Sequence, residues 1–288
     1  MVTKPENLEI EFRIGFAPRP RIRHVVFDFD GTLSLVRGGW CEIMLTMYCE
    51  LLPATPQDDA LALRQTLLHH IMSLNGQPSI QQMIRLRELV LKRGFPALAA
   101  EAYHDQFQNL LSVRRTQRIQ AIVDQTSPAD RYLIPGARTM LRLLDERGMV
   151  LHLVSGTEER AVREEAAHLG ISAFFSGRIH GPSNNSAPFS KGAEIDRIVR
   201  EHGLAGDELL SFGDGPVEIR ETRRVGGLAV AVASVEADPA PGGIDPDKRA
   251  LLLSVGADAV IGDYTQAPRV LQALGFPPAG NTRDTTGT

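Results

Sequence analysis

Two aspartates at the end of a short apolar segment are the most informative residues of this sequence. Residues 25–27 are Val-Val-Phe, and the apolar run stops at Asp28, with Asp30 two positions later. In an extended chain, side chains at i and i+2 point to the same side, so one carboxylate can attack a substrate while the other transfers its protons. Gly31 then lets the chain turn away. An Asp-Gly turn at a strand end is also a common structural feature, so the pair alone leaves a purely structural role equally open.

Three further polar groups accompany apolar segments later in the chain. Ser155 follows the mostly apolar residues 150–154, Asp214 follows residues 209–212, and Lys191 begins a helical pattern between them. In an open parallel sheet, ligands bind beyond the carboxyl ends of the strands. We therefore expect these three groups to lie near the two aspartates.

Ser155 and Lys191 are candidates for binding a phosphoryl group. The Ser155 hydroxyl can donate to a phosphoryl oxygen, and the amides of Gly156 and Thr157 lie at a helix start, which is a natural anion site. Residues 155–158 also fit a capping box, which is the commoner role for such a serine. Lys191 has the wrong charge for the helix dipole at that position, which indicates an anion nearby, although a single lysine there is most often solvated.

The segment 213–218 offers a metal ligand. Asp214 lies between two glycines, and Glu218 follows it by four residues. A hard cation such as Mg²⁺ prefers carboxylate and carbonyl oxygens and keeps several waters, a preference that Asp28, the main-chain carbonyl of Asp30 and Asp214 satisfy. Glu218 then stands behind the metal ligands. A glycine-rich turn into a helix is the structural alternative for this segment.

Alternating strands and helices must position these groups. The strand patterns lie at residues 23–29, 150–154, 209–212, 228–232 and 259–261. Strands separated by helices predict an α/β fold with a Rossmann-like parallel sheet that helices cover on both faces. The stretch from about 38 to 130 carries several helical patterns and no convincing strand, which predicts an α-helical cap inserted between the first and second core strands.

The length supports this division. A chain of 288 residues corresponds to about two domains at roughly 150 residues each. The predicted core comprises residues 18–36 and 131–278, and the predicted cap comprises residues 37–130. Residues 279–288 form a polar tail that is expected to be disordered. Residues 8–16 are a further candidate for an edge strand.

The composition argues against several classes of function. Hydrophobic residues make up 43% and charged residues 23% of the chain, as in ordinary globular proteins. The net charge of −4 argues against a dominant surface for nucleic acid or anionic membrane. No apolar run approaches the ~20 residues of a membrane helix. Cys41 and Cys49 are too far apart on one predicted helix to bridge, and residues 1–20 lack the apolar core of a secretory signal, so we expect reduced thiols and a cytoplasmic location.

The histidines do not alter this interpretation. No pair among them shows metal-ligand spacing; they are His24, His69, His70, His104, His152, His168, His180 and His202. His152 lies within a predicted strand and is expected to be a packed core residue.

The polar groups taken together, and in this order, resemble the four motifs of the haloacid dehalogenase superfamily. The motifs are Asp28-Phe29-Asp30-Gly31-Thr32, the strand-end Ser155, the helix-start Lys191, and Gly213-Asp214-Gly215 with Glu218. The resemblance spans about residues 23–33 and 133–263. The helical insertion resembles the cap that phosphoglycolate phosphatase-like members of the superfamily carry after the first motif.

The resemblance implies a magnesium-dependent phosphatase. Asp28 would be the nucleophile that forms an aspartyl-phosphate, and Asp30 would be the general acid and then the general base. The remaining implied roles are phosphoryl binding by Ser155, Gly156, Lys191 and Thr32, and Mg²⁺ binding by Asp28, Asp30 and Asp214. Glu218 stands where an aspartate is frequent in the superfamily. Dehalogenases of the superfamily lack the acid at the position of Asp30, so phosphate chemistry is favoured over carbon–halogen chemistry.

The expected substrate is a small phosphorylated metabolite, such as a sugar or polyol phosphate or a phosphoglycolate-like acid. Candidate specificity residues are Trp40, which is also placed for a helix core, and Gly76 with Gln77, which also fit an ordinary loop before a helix. A phosphomutase, which returns the phosphoryl group to its substrate, is the nearest alternative. A non-catalytic module that binds a phosphorylated ligand is a third. The sequence does not specify an oligomeric state.

Overall fold

The computed structural model describes most of the chain as two compact units. The described residues are 2–3, 10–53, 55, 58–74, 79–183, 189–236 and 243–277. The first unit combines Met1–Val36 with Ala121–Thr288, and the second is Arg37–Gln120. The predictions for Gly76, Gln77 and the tail 279–288 lie outside the described residues.

The first unit contains a single sheet in its described part. Its strands are β1 (Val2–Thr3), β2 (Ile10–Arg13), β3 (His24–Phe27), β4 (Val150–Val154), β5 (Ile179–His180), β6 (Leu209–Gly213), β7 (Leu228–Val232) and β8 (Ala259–Ile261). Their order across the sheet is β1-β2-β8-β7-β6-β3-β4-β5. Strands β3 to β8 are parallel, whereas β1 and β2 run antiparallel at the edge. The prediction of a Rossmann-like α/β sheet is therefore confirmed.

Ten α-helices occur in the described residues. They are α1 (Trp40–Leu51), α2 (Ala60–Met72), α3 (Ser79–Lys92), α4 (Ala100–Val123), α5 (Ala137–Asp145), α6 (Glu159–His168), α7 (Lys191–Glu201), α8 (Pro216–Arg224), α9 (Pro246–Ser254) and α10 (Ala267–Leu274). None of them is both long and apolar enough to cross a membrane. The apolar residues 173–175 belong to a short 3₁₀ helix, and strand β5 begins four residues after it.

The central strands are buried along their whole length because helices cover both faces of the sheet. Every residue of β3, β6 and β7 is buried. The rings of Phe27 and Phe212 stack with centroids 5.0 Å apart, which locks β3 against β6. Continuous apolar runs are what a parallel sheet with two covered faces requires.

The second unit packs four helices around its own apolar core. Met44, Tyr48, Ile71 and Leu86 are buried together in that core. Trp40 is partly buried and packs against the same cluster, in agreement with the core alternative for this residue. Cys41 and Cys49 both lie on α1, and neither forms a disulfide.

The order of the strands places a topological switch at β3. From β3 the chain passes to β4 and β5 on one side, and then returns to β6, β7 and β8 on the other. Phe27 is the register partner of both Leu153 and Phe212. The residues that follow these strands therefore emerge at the same edge, which is the position where open α/β sheets bind ligands.

Candidate active site

Asp28 occupies the centre of this edge. Its amide donates to the carbonyl of Phe212 at 3.0 Å, which continues the β3–β6 ladder by one residue. Its Oδ1 accepts the amide hydrogen of Phe29 at 2.8 Å and lies 2.8 Å from the Lys191 ammonium. The carboxylate is thus fixed by its own backbone and by a cation.

Lys191 joins two buried acids. As the first residue of α7 it reaches both Asp28 and the Glu218 carboxylate on α8. The prediction of negative charge near this lysine is confirmed: the charge is that of the Asp28 and Glu218 carboxylates. Glu218 and Asp28 thus flank the same ammonium group.

Burial and the positive charge of Lys191 shift the pKa of Asp28 in opposite directions. Burial raises the pKa of its carboxyl group above the ordinary value, and Asp214 raises that pKa further, whereas Lys191 lowers it. Two neighbouring carboxylates disfavour each other's ionisation. A cation placed between them would relieve that repulsion.

Asp214 is held by a second lysine that the sequence analysis did not identify. Lys248 on α9 donates to Oδ2 of Asp214 at 2.8 Å and to Oε1 of Glu236 at 2.6 Å. The lysine is only 7% exposed. Burial alone would lower the pKa of Lys248, but Asp214 and Glu236 outweigh it and hold that pKa above the usual value. Lys248 is therefore charged, and its ammonium also donates to the Ser234 hydroxyl at 3.5 Å.

Thr32 also forms a hydrogen bond with Asp214. Its side chain has no exposed surface, and its hydroxyl donates to Oδ1 of Asp214 at 3.3 Å. The sequence prediction places Thr32 among the phosphate ligands, whereas its hydroxyl contacts Asp214 in this structure. The turn after Asp28 buries Thr32 beneath the site, where it orients a carboxylate.

Gly31 allows the first loop to approach Asp214 closely. Its φ of +71° lies in the left-handed region, and a Cβ atom at this position would overlap the Asp214 carboxylate. Its carbonyl accepts a hydrogen bond of 2.7 Å from the Ser234 hydroxyl. Glycine is therefore required here for both backbone conformation and space.

Asp30 and Ser155 meet through Thr157. The Thr157 hydroxyl donates to Oδ2 of Asp30 at 2.8 Å, and the Thr157 amide donates to Oγ of Ser155 at 3.0 Å. The alternative of a capping box at residues 155–158 is wrong, because α6 begins only at Glu159 and its N-cap residue, Glu158, makes no side-chain cap. Ser155 instead closes a tight turn directly after β4.

Gly156 lies next to Lys191. A Cβ atom at Gly156 would come 3.9 Å from Cε of Lys191, an ordinary contact distance. The turn after β4 and the start of α7 therefore line the same space. Gly156 itself is exposed.

The donors at this edge fit a divalent cation. The Asp28 and Asp214 carboxylates and the main-chain carbonyl of Asp30 are hard oxygen ligands, which Mg²⁺ prefers over nitrogen or sulfur. Burial is the main cause of the raised pKa of Asp28, and the negative charge of Asp214 adds to it; a dication would oppose the contribution of Asp214.

Besides Asp30 and Ser155, which meet through Thr157, the structure brings the predicted residues together in two further groups. Asp28, Lys191 and Glu218 form one group, and Asp214 with Thr32 forms the other. Sequence reasoning missed Ser234, Glu236, Lys248 and the hydroxyl of Thr157. The signal for Lys248 was present: it is a cation in the first turn of a helix, opposed to the dipole, as Lys191 is.

Replacing Lys248 with methionine is expected to destabilise the protein by about 2–3 kcal/mol, because it leaves two partly buried carboxylates without their cation. Urea denaturation followed by circular dichroism measures this loss. Adding Glu236→Gln to the same variant removes one of the uncompensated charges and should restore part of the stability. Wild-type stability in the single variant would show that the ammonium does not compensate these acids.

Comparison with protein families matches residues 22–226 to the family described as haloacid dehalogenase-like hydrolase. A curated phosphoglycolate phosphatase of Vibrio cholerae is 26% identical over 106 residues. The matched segment is 36% of this chain and 45% of the Vibrio protein, so it spans less than half of that relative.

Solved structures share the fold over most of the chain. A conserved haloacid dehalogenase-like protein of unknown function from Agrobacterium tumefaciens superposes with a TM-score of 0.62 at 16% identity, covering 88% of this chain and 99% of that one. A Thermotoga maritima protein provisionally described as a β-phosphoglucomutase gives a TM-score of 0.55 at 15% identity, covering 87% and 99%. At such identities the likeness concerns the fold alone.

Proposed function

Because the chain belongs to the haloacid dehalogenase-like hydrolases, we propose that it is a phosphatase that hydrolyses a small phosphomonoester with the help of a divalent metal ion. The predictions of the superfamily and of a hydrolytic enzyme are confirmed by this membership. The observation that most strongly supports the proposal is the Asp28 carboxylate, fixed by Lys191 at a strand end beside Asp214.

Asp28 is the proposed nucleophile. One of its carboxylate oxygens forms a bond to phosphorus while the bond from phosphorus to the substrate oxygen breaks, which leaves an aspartyl-phosphate. The contacts of Oδ1 with Phe29 and Lys191 orient the carboxylate before the substrate arrives. Such positioning supplies a large part of the catalysis of phosphoryl transfer.

Asp30 is the proposed acid and base. It gives its proton to the departing alkoxide, and then takes a proton from the water that attacks the aspartyl-phosphate, so that phosphate is released and Asp28 is regenerated. The hydrogen bond from Thr157 to Oδ2 fixes the direction in which Asp30 points. Thr157 is thus a positioning residue for the proton transfer.

Lys191, Ser155 and the Gly156 amide are the proposed ligands of the phosphoryl oxygens. Lys191 supplies positive charge, and the other two supply hydrogen-bond donors at the same edge of the sheet. A bound dication such as Mg²⁺ would neutralise charge on the transferring group, and Asp28, the Asp30 carbonyl and Asp214 would hold it. Two anions could not approach each other without this neutralisation.

The proposed substrate class is a sugar or polyol phosphate or a phosphoglycolate-like acid. The partial similarity to a phosphoglycolate phosphatase supports the acid. Phosphomutase activity is the second candidate, since one solved structure with this fold is provisionally described as such an enzyme. A cytoplasmic location and the absence of nucleic-acid or membrane partners remain predictions from the sequence.

The proposal is tested with a panel of phosphorylated metabolites and Mg²⁺, with released phosphate as the readout. We expect phosphate release from at least one small phosphomonoester. Supplying a sugar phosphate together with its bisphosphate distinguishes the second candidate: an isomerised sugar phosphate without phosphate release would identify a phosphomutase.

Removing divalent metal with a chelator is expected to lower turnover at least about 100-fold, because a catalytic cation contributes several kcal/mol to the transition state. Added Mg²⁺ should restore activity, whereas added Na⁺ should not. Circular dichroism after chelation checks that the fold persists. Full turnover in the chelated protein would count against a metal at Asp28 and Asp214.

A further inference from the structure

Three histidines from distant parts of the chain meet away from the proposed active site. His24 is the first residue of β3, His152 lies in the middle of β4, and His202 directly follows α7. Each offers a ring nitrogen, and these nitrogens all lie within 4.8 Å of one another. The sequence shows no paired metal-ligand spacing among the histidines, because these three come together only across the sheet.

The cluster is mostly shielded from solvent. His24 is 6% and His152 is 2% exposed, while His202 lies at the surface and provides access. Nδ1 of His24 and Nε2 of His152 are 3.0 Å apart. The ring of His202 packs against both others, with centroids 4.4 Å from His24 and 5.7 Å from His152.

We propose that His24, His152 and His202 form a binding site for a transition-metal dication such as Zn²⁺. Three imidazoles that leave a fourth position open are a donor set well suited to Zn²⁺. The expectation of a packed core residue is met by the burial of His152. Its Nε2 faces His24 within the cluster, so Nε2 is the nitrogen placed to bind the metal.

The two buried rings are in the form that binds metal. Burial lowers the pKa of His24 to about 4 and the pKa of His152 to about 3, and neighbouring positive groups lower them further. Both rings are therefore neutral near pH 7. The proton in the hydrogen bond between them would pass to the outer nitrogen of a ring or to solvent when the metal binds.

Nearby charges limit the expected affinity. Arg23 and Arg178 both act on His24, but Arg23 is paired with Glu208 at 2.9 Å. Arg178 donates to the carbonyl of Leu151 at 2.9 Å, and no carboxylate pairs with it among the described residues. A dication near such a guanidinium binds more weakly than at a dedicated structural site, so we expect a Kd on the order of micromolar.

The site would fasten three elements that also build the active site. Strand β3 leads to Asp28, β4 leads to Ser155, and α7 begins with Lys191. A metal bound at the opposite part of these elements would stabilise the arrangement from which those three side chains project. The inference concerns binding and stability, and it does not depend on the proposed phosphatase activity.

The test compares His202→Asn with a matched control, His168→Asn. Both histidines are exposed at the end of a helix, but His168 lies outside the cluster. The full-length protein is kept saturated with Mg²⁺ and titrated with Zn²⁺ by calorimetry, and with Co²⁺ by visible absorption. We expect one Zn²⁺ per chain in the wild type and in the control, and an affinity at least about tenfold weaker in His202→Asn.

Thermal unfolding provides a second readout. Zn²⁺ at 100-fold excess over its Kd should raise the Tm of the wild type by roughly 5–10 °C, and should raise it less in His202→Asn. Nitrogen-15 shifts of the three rings would identify the ligating atoms. Equal Zn²⁺ affinity in the two variants, or no binding to the wild type at Zn²⁺ concentrations well above micromolar, would overturn the proposal.

Discussion

Replacing Asp28 with asparagine is expected to lower turnover at least about 10⁴-fold, because the amide cannot form the acyl-phosphate bond. The fold should remain intact. An asparagine Oδ1 can still accept the hydrogen bonds from Phe29 and Lys191, and Lys191 retains its contact with Glu218. The substitution also removes a charge that burial disfavours. The measurement is phosphate release from an aryl phosphate with Mg²⁺.

Asp145→Asn is the matched control for this experiment. Asp145 ends α5 and is exposed, so the same chemical change occurs far from the site. We expect wild-type turnover in this control and a wild-type circular dichroism spectrum in both variants. Undiminished turnover in Asp28→Asn would remove the assignment of the nucleophile and, with it, the proposed reaction.

Gly31→Ala adds only one methyl group, and it is expected to cause the second large loss of turnover. A methyl group at this position collides with the Asp214 carboxylate, and the backbone must also hold a φ of +71°. Displacing a catalytic group by about 1 Å can cost about 100-fold in rate, so we expect a loss of that size. Steady-state kinetics with a range of Mg²⁺ concentrations should also show weaker metal activation, since Asp214 is a proposed ligand.

Gly148→Ala separates the two causes of this loss. Gly148 has a φ of +70°, close to that of Gly31, but a Cβ atom there meets nothing within 4 Å. Both variants should lose about 1–2 kcal/mol of stability from the left-handed backbone, and only Gly31→Ala should lose activity. Comparable activity losses in the two variants would show that backbone strain, and not contact with Asp214, is responsible.

Much of the fold could be predicted because the relevant signals are local. A buried parallel strand needs a continuous apolar run, so β4, β6, β7 and β8 are readable directly from the sequence. The strand-end positions of Asp28 and Asp214 follow from the same runs. The edge strand expected within residues 8–16 is present as β2, although it is only four residues long.

Contacts between residues that are far apart in the sequence could not be predicted from local patterns. Glu236 and Lys248 are separated from Asp214 by β7 and the loop that follows it, and their types alone do not show that they pair. The histidine cluster depends on the register in which His24 pairs with Val150, which brings its ring next to that of His152. The contact between Thr32 and Asp214 was not predicted, because the position of Thr32 in the motif does not reveal that the turn buries it.

Each of the two lysines of the proposed active site lies between two carboxylates, which determines the net charge of the site. Asp28, Lys191 and Glu218 form one carboxylate–ammonium–carboxylate triad, and Asp214, Lys248 and Glu236 form another. With all six groups ionised, each triad has a formal charge of −1. One dication therefore neutralises the two triads together, whereas a monovalent cation leaves a net negative charge. The incoming phosphate ester then meets a pocket with no net excess of like charge.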